Sequence, residues 1–339
     1  MQEPITSAEA IVKTIVPALK TFPTNEIAII GCHAGTMART SCEYDLLVIS
    51  RDPIPEKVVE VGGTFTRLLF RNEFEVREPS PELAVTMASA VPLRDNSLLL
   101  AAAVSDCRRN FSANCAALTE SHLASSLKAV SRVDELLASE EVREADFWLL
   151  SAAREFAYAM LLSSEVVPSP SHALAQMKAL SARHGSEFRA WADSSGLELA
   201  SKASCENRLE GLSIVYDVLA TGSSGIGFLP ETRRYQETEA FALVKLKAGE
   251  LLGSMQSVEC YSYLGWEVVR SVLDLYSLHA ARLSIPKDYS STIRELTLGQ
   301  DRLISEEVLR SLGFVRSLEM LRNASGELKN SIAALAKKS

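Results

Sequence analysis

Apolar and polar positions follow two different rhythms along this 339-residue chain. Over roughly the first third, apolar runs are short and bounded by Gly, Pro and Asn, as strands are; from about residue 113 they recur every three to four residues, as on helices. Thr6 and Glu9 form a capping-box pattern, predicting a helix to about Phe22 with Ile11, Ile15, Ala18 and Phe22 on one side and Pro17 bending it. Pro23-Thr-Asn then turns the chain into a strand, Glu26–Ile30. A second strand, Tyr44–Ile49, is almost wholly apolar, as expected of a central strand covered on both faces. Residues 58–61 and 65–70 flank Gly62-Gly63 and predict a hairpin, with sheet continuing to about residue 78. Helical periodicity starts near Pro81 and breaks at 91–96; the run 97–104 fits a strand or a helix start equally well.

The helical rhythm predicts segments over 115–138, 142–165, 171–182, 186–201 and 206–220. After a Gly-rich break at 221–228 it resumes over 236–258, 260–284, 290–298 and from 304 to the end. This is an α+β chain, with a mixed-sheet domain over 1–112, a helical bundle over 113–222 and a second helical region over 229–339. Residues 147–177 and 260–296 share a plan of long helix, Pro-containing loop and short helix, a weak sign of duplication.

Composition narrows the function classes. A 47% hydrophobic content with 16 Gly describes a globular chain. No run approaches the length of a membrane span, and Met-Gln-Glu-Pro-Ile lacks the basic and apolar regions of a signal peptide, so a cytoplasmic location is expected. The six cysteines are scattered without a CxxC pair, and the five histidines show no ligand spacing; both argue against zinc. With 35 basic against 43 acidic residues the net charge is −8, which argues against a nucleic-acid partner. The loop Gly222-Ser-Ser-Gly-Ile-Gly227 has no strand before it and no Gly-Lys-Ser/Thr, so it reads as a connector.

Chemistry concentrates at 29–50. Residues i and i+2 of a strand share a face, so Glu43 and Asp45 converge opposite the Gly31 turn. Two carboxylates there can seat a hard divalent cation that also holds phosphate oxygens. A turn glycine followed by two surface acids is the plainer account of the same letters.

Gly31, with Glu43 and Asp45 twelve and fourteen positions later and the apolar run Asp45-Leu-Leu-Val48, resembles the nucleotidyltransferase superfamily that includes DNA polymerase beta and the aminoglycoside nucleotidyltransferases. The resemblance implies that the Gly31-Cys32 turn and a following helix hold a nucleoside triphosphate. Glu43 and Asp45 would then hold one or two Mg²⁺ ions, and Arg39 would contact the triphosphate. The implied reaction moves a nucleoside monophosphate to an acceptor, a small molecule or protein rather than nucleic acid. Four departures stand beside the match. Cys32 replaces the usual Ser, Gly35 falls one position early, and Glu43 replaces the commoner Asp. The strand expected to carry a third acid, 65–70, offers Thr66 and Arg67 instead. Glu73 and Glu75, another i, i+2 pair, are the candidates to supply that acid, and Asp95 in Pro92-Leu-Arg-Asp reads as the cap of a turn. Residues 123–180 resemble HEPN-type bundles through Glu155, Pro168 and His172; Glu155 is a candidate base, and the Arg-x4-His ribonuclease signature is absent. The rival reading is a catalytically degenerate nucleotidyltransferase fold that binds a nucleotide or a protein, and a homodimer remains open.

Overall fold

The computed structural model describes residues 26–35, 37–51, 54, 56–61, 64–223, 238–283, 291–298 and 302–337; the helix expected over 6–22 lies outside them. The chain is α+β and divides into two compact units: Met1–Ala117 with Glu237–Lys247, and Leu118–Gln236 with Ala248–Ser339.

In the first unit, β1 (Glu26–Ile30), β2 (Tyr44–Ile49), β3 (Lys57–Val61), β4 (Thr64–Arg71) and β5 (Val91–Asp95) form one mixed sheet in the order β3-β4-β2-β1-β5. Only β2 and β4 run parallel; the other pairs are antiparallel. β2 is central and buried at every position, which its unbroken apolar run requires. One face packs Ala28, Ile30, Leu47 and Ile49 against α1 (Glu73–Arg77), α2 (Pro81–Ala88) and α3 (Leu99–Arg109), through Val76, Met87, Leu100 and Val104. The other gathers Ile27, Ile29, Tyr44, Leu46, Leu68 and Phe70.

Two sequence expectations change here. Residues 73–77 are helix rather than sheet, because Asn72 and Glu75 close a reciprocal capping box: Glu75 N–H donates to Asn72 Oδ1 (2.9 Å) and Asn72 N–H to Glu75 Oε2 (2.8 Å). Residues 91–95 are a strand rather than a turn. Pro92 is tolerated because β5 pairs only with β1, at the sheet's edge. Asp95 still plays the capping part expected of it, accepting the Leu100 and Ala101 N–H groups at the start of α3.

In the second unit, helices α4 (Phe111–Ala138, which begins in the first unit), α5 (Val142–Ser163), α6 (Ala173–Leu180), α7 (Gly185–Ser194) and α13 (Leu318–Ala336) build one core. Val133, Phe156, Met160, Met177, Trp191 and Leu328 lie within it. The remaining described helices are α8 (Lys202–Ser223), α9 (Thr238–Gly253, which starts in the first unit), α10 (Ser257–Leu283), α11 (Thr292–Thr297) and α12 (Glu306–Ser311). The single helix expected from 304 onward is two, because Gly313 at φ +98° breaks it and Ser317 caps a new start. Between them the Arg316 side chain is buried against Asp146 (Nε to Oδ1, 2.8 Å) and the carbonyls of Asp193 and Ser194. No described helix is long and apolar enough to cross a membrane.

Candidate functional site

β1 ends at Ile30, and Gly31–Ala34 make one 3-10 turn before the chain returns through a loop to β2. Gly31 sits at φ +71°, a conformation that L side chains resist. A Cβ there would come within 2.3 Å of Asp45 Oδ2, so the glycine is required twice over. Among the described residues no α-helix follows this turn before β2, contrary to the expectation of a helix N-terminus beneath the phosphates. The loop closes on itself instead. Arg39 N–H donates to Cys42 Sγ (3.3 Å), the Arg39 carbonyl accepts Cys42 N–H, and His33 stacks on Tyr44 at 4.0 Å with Nε2 against the Cys42 carbonyl. A hydrogen bond to Cys42, with burial, pushes the Cys32 thiol up.

Glu43 and Asp45 are both buried. Register places Asp45 between Ile30 on β1 and Arg67 on β4. Each carboxylate has a side-chain cation beside it. Arg67 Nε donates to Asp45 Oδ1 at 2.7 Å, and Lys247 Nζ on α9 reaches Glu43 Oε2 at 2.5 Å, with both members of that second pair buried. Glu56 is a third carboxylate, 3.8 Å from Arg67 Nη1 and half-exposed. Three acids thus act on the Arg67 guanidinium and Glu43 pairs with the Lys247 ammonium, in the place where the sequence motif leads one to expect metal ions.

The electrostatics follow from that arrangement. Burial would push the Glu43 carboxyl up, but Lys247 and then Arg67 outweigh it and hold it at about 2. Burial pushes Asp45 up as well; Arg67 opposes this and the Glu43 charge adds to it, leaving Asp45 at about 6. Burial alone would make Arg67 easier to deprotonate, yet Asp45, Glu56 and Glu43 more than reverse this and keep it charged.

The other candidates have hydrogen-bond partners of their own. Glu73 and Glu75 are not a converging pair, since residues two apart on a helix point to different sides. Glu73 bonds Arg77, and Glu75 caps its own helix. In the second unit, Glu155 accepts His122 Nδ1 at 2.7 Å and Arg154 through two nitrogens; burial would raise its carboxyl, but His122 and Arg154 bring it below its ordinary value. A groove of about 490 Å³, bordered by Glu140, Arg143, Ile293, Arg294 and Leu298, has Glu144 in its wall. Burial pushes Glu144 up to about 7, although it accepts from the Arg294 N–H and the Trp148 indole.

Lys247 and Glu56 escape a motif-based reading. Lys247 was nonetheless signalled: it lies four residues after Leu243 and three after Val244, on the buried stripe of α9, where a lysine needs a counter-ion.

No family model matches the chain, and no curated protein matches it. Among solved structures, a nucleotidyltransferase-like protein from Exiguobacterium sibiricum 255-15 is similar over 86% of this chain and 88% of that one, at 13% identity and a TM-score of 0.36.

Proposed function

We propose that the first unit is a nucleotidyltransferase-type domain in which side-chain cations have taken the place of catalytic metal ions, and that it acts by binding rather than by group transfer. The observation that carries this reading is the double pairing of Glu43 with Lys247 and Asp45 with Arg67, in which both carboxylates and Lys247 are buried. Two-metal transfer needs carboxylates free to bind divalent cations that bridge the triphosphate. Here the carboxylate charges are already met by the chain itself. Seating Mg²⁺ would require breaking the buried Glu43–Lys247 pair and the Asp45–Arg67 pair, whose carboxylate is buried. The short turn after β1 points the same way, because it supplies no long helix start to meet phosphates.

Mg²⁺-dependent transfer from an NTP is the second reading. It is favoured by the close approach of Asp45 to Gly31 and by the Glu43 charge that acts on Asp45. Thermal shift with each NTP, with and without Mg²⁺, joined to an assay for released pyrophosphate, separates the two. A binding module shows no Mg²⁺-dependent gain in Tm and no pyrophosphate. Metal-dependent stabilisation that disappears in both Glu43→Ala and Asp45→Ala, together with pyrophosphate release, would establish the transferase and overturn the proposal.

A further inference from the structure

Cys32 and Cys42 bring two thiols together across the loop between β1 and β2. Cys32 is half-buried on the 3-10 turn, and Cys42 is buried immediately before Glu43. Their sulfurs lie within 4.8 Å of each other, and the thiols share a hydrogen bond. Cys42 is held in place on three sides: Arg39 N–H donates to its sulfur, the Arg39 carbonyl takes its N–H, and His33 meets its carbonyl. Cys205 and Cys260 are a second pair of interacting thiols, but both are wholly buried, and their S–H groups donate to the Ser257 and Ala248 carbonyls. Cys32 is the more accessible starting point for exchange.

We propose that Cys32 and Cys42 form a reversible dithiol–disulfide site that exchanges with low-molecular-weight disulfides of the glutathione class. In the first step Cys32 Sγ gives its proton to solvent and attacks one sulfur of the small disulfide, breaking its S–S bond and releasing one thiolate. Cys42 Sγ, after losing its own proton, attacks Cys32 Sγ and expels the second thiolate. The protein gives up two electrons and two protons, and the small disulfide is reduced to two thiols. The new bond ties the turn after β1 to the loop that enters β2, the two segments that carry Gly31 and Glu43. Exchange is best read at equilibrium, because a thiol held in a hydrogen bond reacts slowly.

The test equilibrates the full chain in glutathione buffers of graded oxidised-to-reduced ratio, quenches with acid, alkylates under denaturing conditions and maps peptides by mass spectrometry. A synthetic peptide of residues 32–42 serves as the unstructured reference. The folded chain should form the Cys32–Cys42 bond at a ratio about tenfold more reducing than the peptide needs, since the fold raises the effective concentration of one thiol at the other. Cys32→Ser and Cys42→Ser should each abolish the linked peptide, while wild-type Cys107 and Cys115 stay alkylated. A folded chain that needs the same ratio as the peptide or a more oxidising one would overturn the proposal. So would glutathione stably attached to Cys32 with Cys42 still free.

Discussion

Lys247→Met removes the ammonium from Glu43 while keeping most of the side-chain volume, and it puts the ion-pair reading at risk. Holding the Glu43 carboxyl at about 2 instead of its ordinary 4.5 amounts to about 3 kcal/mol of stability at neutral pH. A depressed folded-state value stabilises fully above about 4.5, and the contribution is lost as the pH falls towards 2. Without Lys247, burial becomes the main influence on Glu43 and acts in the opposite direction, although Arg67 still opposes it. The substitution should therefore cost about 3–5 kcal/mol at pH 7, the range for orphaning one member of a buried pair. At pH 3 more than half of that difference should vanish, because wild type keeps only about 1.4 kcal/mol of its benefit and the variant can protonate Glu43. Tryptophan emission does not read this unit: Trp148, Trp191 and Trp266 all lie in the second one. Amide exchange followed by mass spectrometry on peptides covering β1, β2 and β4 does read it. Glu43→Gln/Lys247→Met should recover all but about 1 kcal/mol, since neither charge is then left buried alone. A cost below about 1 kcal/mol at pH 7, or one that does not change with pH, would refute the reasoning.

Gly31→Ala should destabilise by about 2 kcal/mol or more, from the left-handed backbone and the clash with Asp45; adding Asp45→Ala should relieve the clash and leave only the backbone part, read by exchange at β1. Glu144 titrates high, so the second unit should lose up to about 3 kcal/mol as pH rises from about 4.5 through about 7. Glu144→Gln should flatten that slope in denaturant titrations followed by tryptophan emission, and equal slopes would contradict the assignment. Asp146→Ala leaves Arg316 charged and buried and should cost about 3–5 kcal/mol in the same titration, whereas Asp146→Leu/Arg316→Met should recover most of it.

What was legible in the sequence was local. β1 and β2 fall at the expected bounds because each is an apolar run closed by turn residues, and the 57–71 hairpin follows from the same pattern. Residues 73–77 alternate charged and apolar positions as a strand does, but Asn72 with Glu75 three positions later is a capping pattern, and it outweighs that alternation. Residues 91–95 were hidden by Pro92, which is compatible with a strand only at an edge, and edges are a property of the assembled sheet. The Gly313 break lay inside a stretch whose helical period continues on both sides. At the site, the motif located Gly31, Glu43 and Asp45 but said nothing of what neutralises them. Arg67 comes from a register between parallel strands, and Lys247 from a helix 204 positions after Glu43; neither is visible from spacing within the motif.

The route by which Lys247 reaches Glu43 also bears on how the chain is made. The first unit is discontinuous: its main segment ends at Ala117, and Lys247 is synthesised 130 residues later. At about 5–20 residues per second of translation, the nascent sheet waits many seconds with Glu43 lacking its Lys247 partner. During that interval, keeping Glu43 protonated or leaving β2 loosely docked is the cheaper state. A fragment ending at Ala117 inherits the same deficit permanently. Supplying residues 237–253 as a separate peptide should then act as a folding ligand, in the way a missing piece completes a split protein.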